Sequence, residues 1–83
     1  MAEQEIGKVT HFFGKISVAT IKLDYELSVG DTIKVVTRSG EFIQKVESMR
    51  LGTNPVTAAG PGDEVGIKVA QPTKEGDTVF KVT

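Results

Sequence analysis

The sequence predicts an all-β fold, a small closed antiparallel barrel, on three observations. No window places apolar residues at i, i+3, i+4 and i+7 over two or three turns, and Gly or Pro recurs too often for helices. Short β-rich runs instead alternate with turn chemistry, near 5–13, 15–23, 31–38, 41–51, 55–59, 63–70 and 77–82. Two of these runs break phase: Ile6 and Val9 are out of register across Gly7, and Val46 and Met49 across Glu47-Ser48. A β-bulge at each place returns both residues to the core side and sharpens the twist. A small, sharply twisted sheet tends to close on itself, and closure removes exposed edges.

The elements follow in order from local chemistry. Phe13-Gly14-Lys15 is a tight reversal that calls for positive φ at Gly14. In the third run Ile33, Val35 and Thr37 share one face, while Thr32, Lys34, Val36 and Arg38 share the other. Arg38-Ser39-Gly40-Glu41 is a hairpin signal with Gly40 at an αL position. Gly52-Thr53-Asn54-Pro55 is a looser corner, because Pro55 cannot donate to a ladder and must start or edge a strand. Ala59-Gly60-Pro61-Gly62-Asp63 is a loop on any reading. In the sixth run Val65, Ile67 and Val69 point inward, leaving Glu64, Gly66 and Lys68 outside.

A Gly-Asp pair opens three of these runs, as GDTIKV at Gly30-Asp31, GDEVGIKV at Gly62-Asp63 and GDTVFKV at Gly76-Asp77. In each, the Gly turns with φ free and the Asp side chain can accept from backbone N–H groups just ahead. The copies are unevenly spaced, so they read as one turn chemistry answering a recurring geometric problem, not as a fixed-period repeat.

Eighty-three residues make one small domain, which buries only roughly 60% of the surface its unfolded chain exposes. Residues 5–83 are expected to form it, with 1–4 a disordered or loosely held N-terminus. The first residues are acidic and polar with no apolar region after them, unlike a signal peptide. The longest apolar run is far short of a membrane span. With no cysteine there is neither disulfide nor thiolate ligand, which fits a cytoplasmic protein.

Catalytic chemistry is hard to find. His11 is the sole histidine, and Ser17, Ser28, Ser39 and Ser48 lie in no nucleophile-elbow pattern. Asp63-Glu64 and Glu75/Asp77 are paired acids at turns, where acids cap backbone donors. Gly14-Lys15 is followed by Ile16 rather than Ser or Thr, so no phosphate loop is present. The chain is therefore expected to be no enzyme and to need no metal, cofactor or small-molecule substrate.

Surface recognition remains. The net charge is −1, but Lys8, Lys15 and Lys22 lie in a span with no acid, interleaved with His11, Phe12 and Phe13. Positive charge beside aromatic area is the pairing that single-stranded RNA sites use, and Lys34, Arg38, Lys45 and Arg50 extend the candidate patch, with Glu41 and Glu47 diluting it. Alternation sends Phe12 and Phe13 to opposite faces, so one of them is exposed.

The order of these pieces carries a resemblance. IGKVTHFFGKISVATIKLDYELSVGDTIKVV, then QKVESM, VTAAGPGDEVGIKV and EGDTVFKV, together resemble the second domain of translational GTPases. The places are filled by Gly7 and Val9, Val18-Ala19-Thr20, Leu27 to Asp31, Lys45 to Met49, Ala59 to Ile67 and Gly76-Asp77. That resemblance implies a Greek-key-type translation-factor β-barrel of six or seven strands. It further implies a stand-alone, elongation-factor-like module that binds ribosomal RNA, the ribosome or tRNA, or a protein partner carrying the missing domains. Similar short barrels also resemble appended domains of a collagenase-like peptidase family, some of whose members act in RNA modification. The competing expectation is an accessory domain that docks in trans onto a translation factor or RNA-modifying enzyme, through an apolar patch around Phe12 or Phe13, Tyr25 and Leu27.

Overall fold

The computed structural model describes residues 2–82, so the ends of both expected segments, Met1 and Thr83, lie outside the described residues. Among the described residues ten strands run in chain order: β1 (Glu3–Phe13), β2 (Val18–Leu23), β3 (Leu27–Ser28), β4 (Thr32–Thr37), β5 (Gly40–Lys45), β6 (Met49–Leu51), β7 (Asn54–Val56), β8 (Ala58–Ala59), β9 (Glu64–Lys68) and β10 (Thr78–Val82). Eight form one antiparallel sheet in the order β5-β4-β10-β1-β2-β9-β6-β7, and β3 pairs with β8 in a second small sheet. Glu3 and Gln4, expected in a loose terminus, pair with Val82 and Lys81.

The core is continuous and apolar. Ile6, Ile21, Leu23, Leu27, Ile33, Val35, Val65, Ile67 and Val79 are wholly buried, and Val9, Phe42, Val46, Met49 and Val69 nearly so. The alternation read in the third and sixth runs holds for Ile33, Val35, Val65, Ile67 and Val69. A register shift between Glu5 and Gly7 on the β10 side supplies the first expected bulge, and both Ile6 and Val9 are buried.

The expected closed barrel is not formed. The sheet ends on β5 at one edge and β7 at the other, and no backbone ladder joins them. The cause lies at the second phase break. Val46 and Met49 are both buried as expected, but the 41–51 run divides into β5 and β6 instead of bulging. Val46 spends its N–H on the Asp31 carbonyl and its carbonyl on the Gly30 N–H, both at 2.8 Å, so neither group continues the strand. A side chain instead ties β5 to the end of β9: the Gln44 amide donates to the Lys68 carbonyl at 2.8 Å and accepts from the Ala70 N–H at 2.7 Å.

Two turn expectations also change. Gly14 is not the left-handed residue of the first reversal; Ser17, with φ 56°, closes the 14–17 loop instead. Gly40 has a positive φ, but at 148° it lies outside the αL basin and stands opposite Thr37 as the first residue of β5. Pro55 sits on edge strand β7, as its missing N–H requires.

The three Gly-Asp pairs are one device built three times. Each Asp N–H donates to the carbonyl three residues back, Ser28, Gly60 or Lys74, at 3.1 Å. Each Asp carboxylate accepts from the N–H of that same residue, at 2.9, 3.0 and 2.8 Å. The intervening glycines have φ of 98°, 89° and 90°, where a side chain is strained. Each glycine N–H then donates to a buried residue of another segment, Val46, Leu23 or Val9, whose own N–H returns to the Asp carbonyl at 2.8 Å. Asp77 is the most enclosed of the three carboxylates, 8% exposed. Asp77→Ala is expected to cost about 1–3 kcal/mol by stranding the Lys74 N–H, and Asp77→Asn less, as read by urea unfolding.

Lys34 ties β4 to both neighbours of that region. Its ammonium meets Glu3 at 2.7 Å and Glu41 at 3.2 Å, with the Phe80 ring 5.6 Å away. It is held above its ordinary value of 10.5, first by the hydrogen bond to Glu3, an effect that burial opposes and Glu41 reinforces. Its share of stability is complete below 10.5 and fades as pH climbs through the raised value.

Candidate functional site

The outer face of the β1-β2-β9-β6-β7 region can be read row by row from the register. One row runs Lys8, Lys22, Glu64; the next runs His11, Thr20, Gly66, Arg50, Pro55; a third runs Phe13, Val18, Lys68. The basic residues are thus partly gathered. Lys8 and Lys22 face each other across β1 and β2, and Lys15 is exposed in the loop between them. Glu64 completes their row on β9, so a stretch without acids in the sequence meets one in space.

Alternation places the two phenylalanines as expected: Phe12, opposite Ala19, packs on the core, whereas Phe13, opposite Val18, is 46% exposed. The His11 ring meets Phe13 edge-on at 4.3 Å, and its Nδ1 lies 3.7 Å from Glu75 Oε1. Arg38 stands apart at the β4–β5 tip, and Arg50 lies on β6 opposite Gly66. Of the expected apolar patch, Tyr25 is exposed, but Leu27 is wholly buried and pairs with Ala59, which removes it from any surface.

A groove of 620 Å³ occupies this face, a size that small ligands and short segments fill. Phe13, Ile16 and Val18 form its apolar wall, and Ser48, Arg50 and Thr53 stand opposite. Its floor is Gly66, where an added Cβ would sit 3.2 Å from Val18 Cγ1. The hollow exists because the middle of a five-strand row carries no side chain. Glu64 is held by Thr10 Oγ1 at 2.9 Å. Among the described residues, the side chains of Arg50 and Lys68 have no ion-pair or hydrogen-bond partner, and no cluster of His, Asp or Glu is placed to hold a metal ion.

Sequence reasoning found Phe13 and Arg50 but missed Ile16, Val18, Gly66 and Lys68 as parts of one site. The available signal was the outward Gly66 within a strand, which marks a bulge or a close approach.

Comparison with known proteins decides between the two resemblances. No family model matches the chain. An uncharacterized protease of Methanocaldococcus jannaschii is 38% identical over 77 residues, covering 92% of this chain and 19% of that protein. A collagenase of Porphyromonas gingivalis is 30% identical over 78 residues, covering 92% of the chain and 22% of its own length. The C-terminal domain of a putative U32 peptidase from Geobacillus thermoleovorans has the same fold, with TM-score 0.89, 22% identity and coverage of 96% and 93%. Its selenomethionine variant gives a TM-score of 0.87. The likeness is to one part of a peptidase.

This corrects the elongation-factor-like assignment and, with it, the RNA-, ribosome- or tRNA-binding translation role and the docking onto a translation factor or RNA-modifying enzyme. The chain spans about a fifth of the curated relatives it matches, and the collagenase-like resemblance is the one the comparisons favour.

Proposed function

We propose that this domain is a non-catalytic accessory module that works beside the catalytic part of a U32-type peptidase and holds polypeptide there. The observation that carries this reading is the alignment of nearly the whole chain with a fifth of a protease, at 38% identity. The absence of catalysis draws support from His11, the sole histidine, whose contacts are Glu75 and Phe13 rather than a nucleophilic hydroxyl. An exposed groove with an apolar wall suits holding a chain better than cutting one.

The test uses the purified protein with labelled denatured collagen. Retention of the collagen without cleavage is the expected result. Hydrolysis that co-elutes with the protein and disappears in His11→Ala would make the domain an enzyme and overturn the reading. Failure to retain the collagen would overturn the holding role.

A further inference from the structure

We infer that the groove over Gly66 binds an extended polypeptide segment carrying an apolar side chain and, two residues along, a carboxylate. The inference rests on the accessory-module reading only for the choice of polypeptide. The rest comes from the groove. Phe13 and Ile16 are 46% and 60% exposed, large apolar groups left in water at one wall of a single hollow. Between them and Arg50 lies Gly66, so a ligand side chain can rest on backbone where any residue larger than glycine would fill the space.

Spacing sets the second requirement. Val18 on β2 and Arg50 on β6 are separated by one intervening strand and by two residues of register, about 10 Å across the strands and about 7 Å along them, so about 12 Å separates the apolar wall from the arginine backbone. Alternate side chains of an extended ligand lie about 7 Å apart on one face, and the arginine's length covers the difference. Charge sets the third. Arg50 and Lys68 are unpartnered among the described residues, while Glu64, the acid in the groove, lies on the other side of Gly66 from Lys68 and keeps its charge with one oxygen accepting from Thr10, so a single carboxylate suits the Arg50–Lys68 end. The planar guanidinium fork favours a carboxylate taken bidentately. A nucleic-acid strand fits less well, because its continuous phosphates would pass Glu64.

The test measures fluorescence anisotropy with short end-blocked synthetic peptides. One carries phenylalanine with aspartate two residues on; the controls replace the aspartate with lysine or the phenylalanine with serine. The wild-type protein is expected to bind the first peptide and neither control. Arg50→Glu should weaken that binding by about tenfold or more and gain the lysine peptide, a swap that a merely structural role would not produce. Phe13→Ala should weaken it by about fivefold, and Ile43→Thr, outside the groove on β5, should leave it unchanged. Circular dichroism of each variant confirms the fold.

Absence of peptide binding by the wild type, or wild-type binding in both Arg50→Glu and Phe13→Ala, would overturn the groove assignment. If denatured collagen is still retained in that case, the accessory-module reading stands without the groove. A single-stranded oligonucleotide that binds more tightly than the acidic peptide and is lost in Arg50→Glu would overturn the choice of polypeptide.

Discussion

Gly7→Ala is expected to destabilise the domain by about 3–5 kcal/mol, most of what so small a protein has to lose. Gly7 is buried at the bulge of β1 and pairs with Leu23 on one side and Val79 on the other. A Cβ there would run into the Lys22 carbonyl oxygen, with the Lys22 carbonyl carbon at 3.1 Å and Ile21 Cγ2 at 3.2 Å. The obstacle is backbone of a central strand, so relief would require parting β1 from β2 rather than turning a side chain. Overpacking in a core that can yield costs about 1–3 kcal/mol, and this site cannot yield. A thermal melt followed by circular dichroism should show a fall on the order of 15 °C or more. An unchanged midpoint would mean that the strands are not so closely apposed in solution. Gly66→Ala provides the contrast. Its obstacle is the far end of the Val18 side chain, at 3.2 Å, so the cost should be smaller and the damage should fall on the groove.

Much of the strand pattern was legible because burial parity is written directly in an alternating sequence. Ile33, Val35, Val65 and Ile67 all face the core as alternation requires, and Phe12 and Phe13 separate as it demands. Parity says nothing about backbone partners, and there the reading failed. Val46 and Met49 are both inside, yet the chain reaches that result by giving Val46's N–H and carbonyl to the Gly30-Asp31 turn. A strand so interrupted cannot extend the ladder, and the sheet stays open. The same limit affects the site. Outward faces were readable for Lys8, Lys22 and Gly66, but only strand order brings Glu64 beside Lys22 and Arg50 beside Gly66.

The Gly-Asp strings explain why the stronger of the two resemblances misled. Their uneven spacing argued against a repeat of fixed length, and the structure repeats a smaller unit, a four-residue turn clamped to one buried residue. That unit serves backbone geometry. It starts β4, β9 and β10, and no residue of the three turns lines the groove. Motifs of this kind identify how a strand is entered, and they carry little to separate one family of small β domains from another. The 38% identity to a protease over 92% of the chain favours one resemblance over the other, because it includes residues between the turns.

The second large effect should come from Leu23→Ala, at about 3–4 kcal/mol. Leu23 is wholly buried at the end of β2, where the Gly62-Asp63 turn clamps it: its N–H reaches the Asp63 carbonyl at 2.8 Å, and its carbonyl accepts from Gly62 at 2.9 Å. Both bonds are made by main-chain atoms, so alanine keeps them. The loss is then the apolar transfer of the missing side chain plus the cavity it leaves, with no polar group stranded. This makes Leu23→Ala the complement of Asp77→Ala, which removes a polar partner from an equivalent clamp and leaves the core side chains in place. If the turns mainly hold strands already fixed by the core, Leu23→Ala should exceed Asp77→Ala in urea unfolding, with unchanged m-value in both. The opposite order would mean that the clamps, rather than the apolar interior, hold the open sheet together. The core is expected to dominate because each turn is secured by a handful of hydrogen bonds of modest net worth, whereas the Leu23 side chain is wholly buried in the apolar cluster.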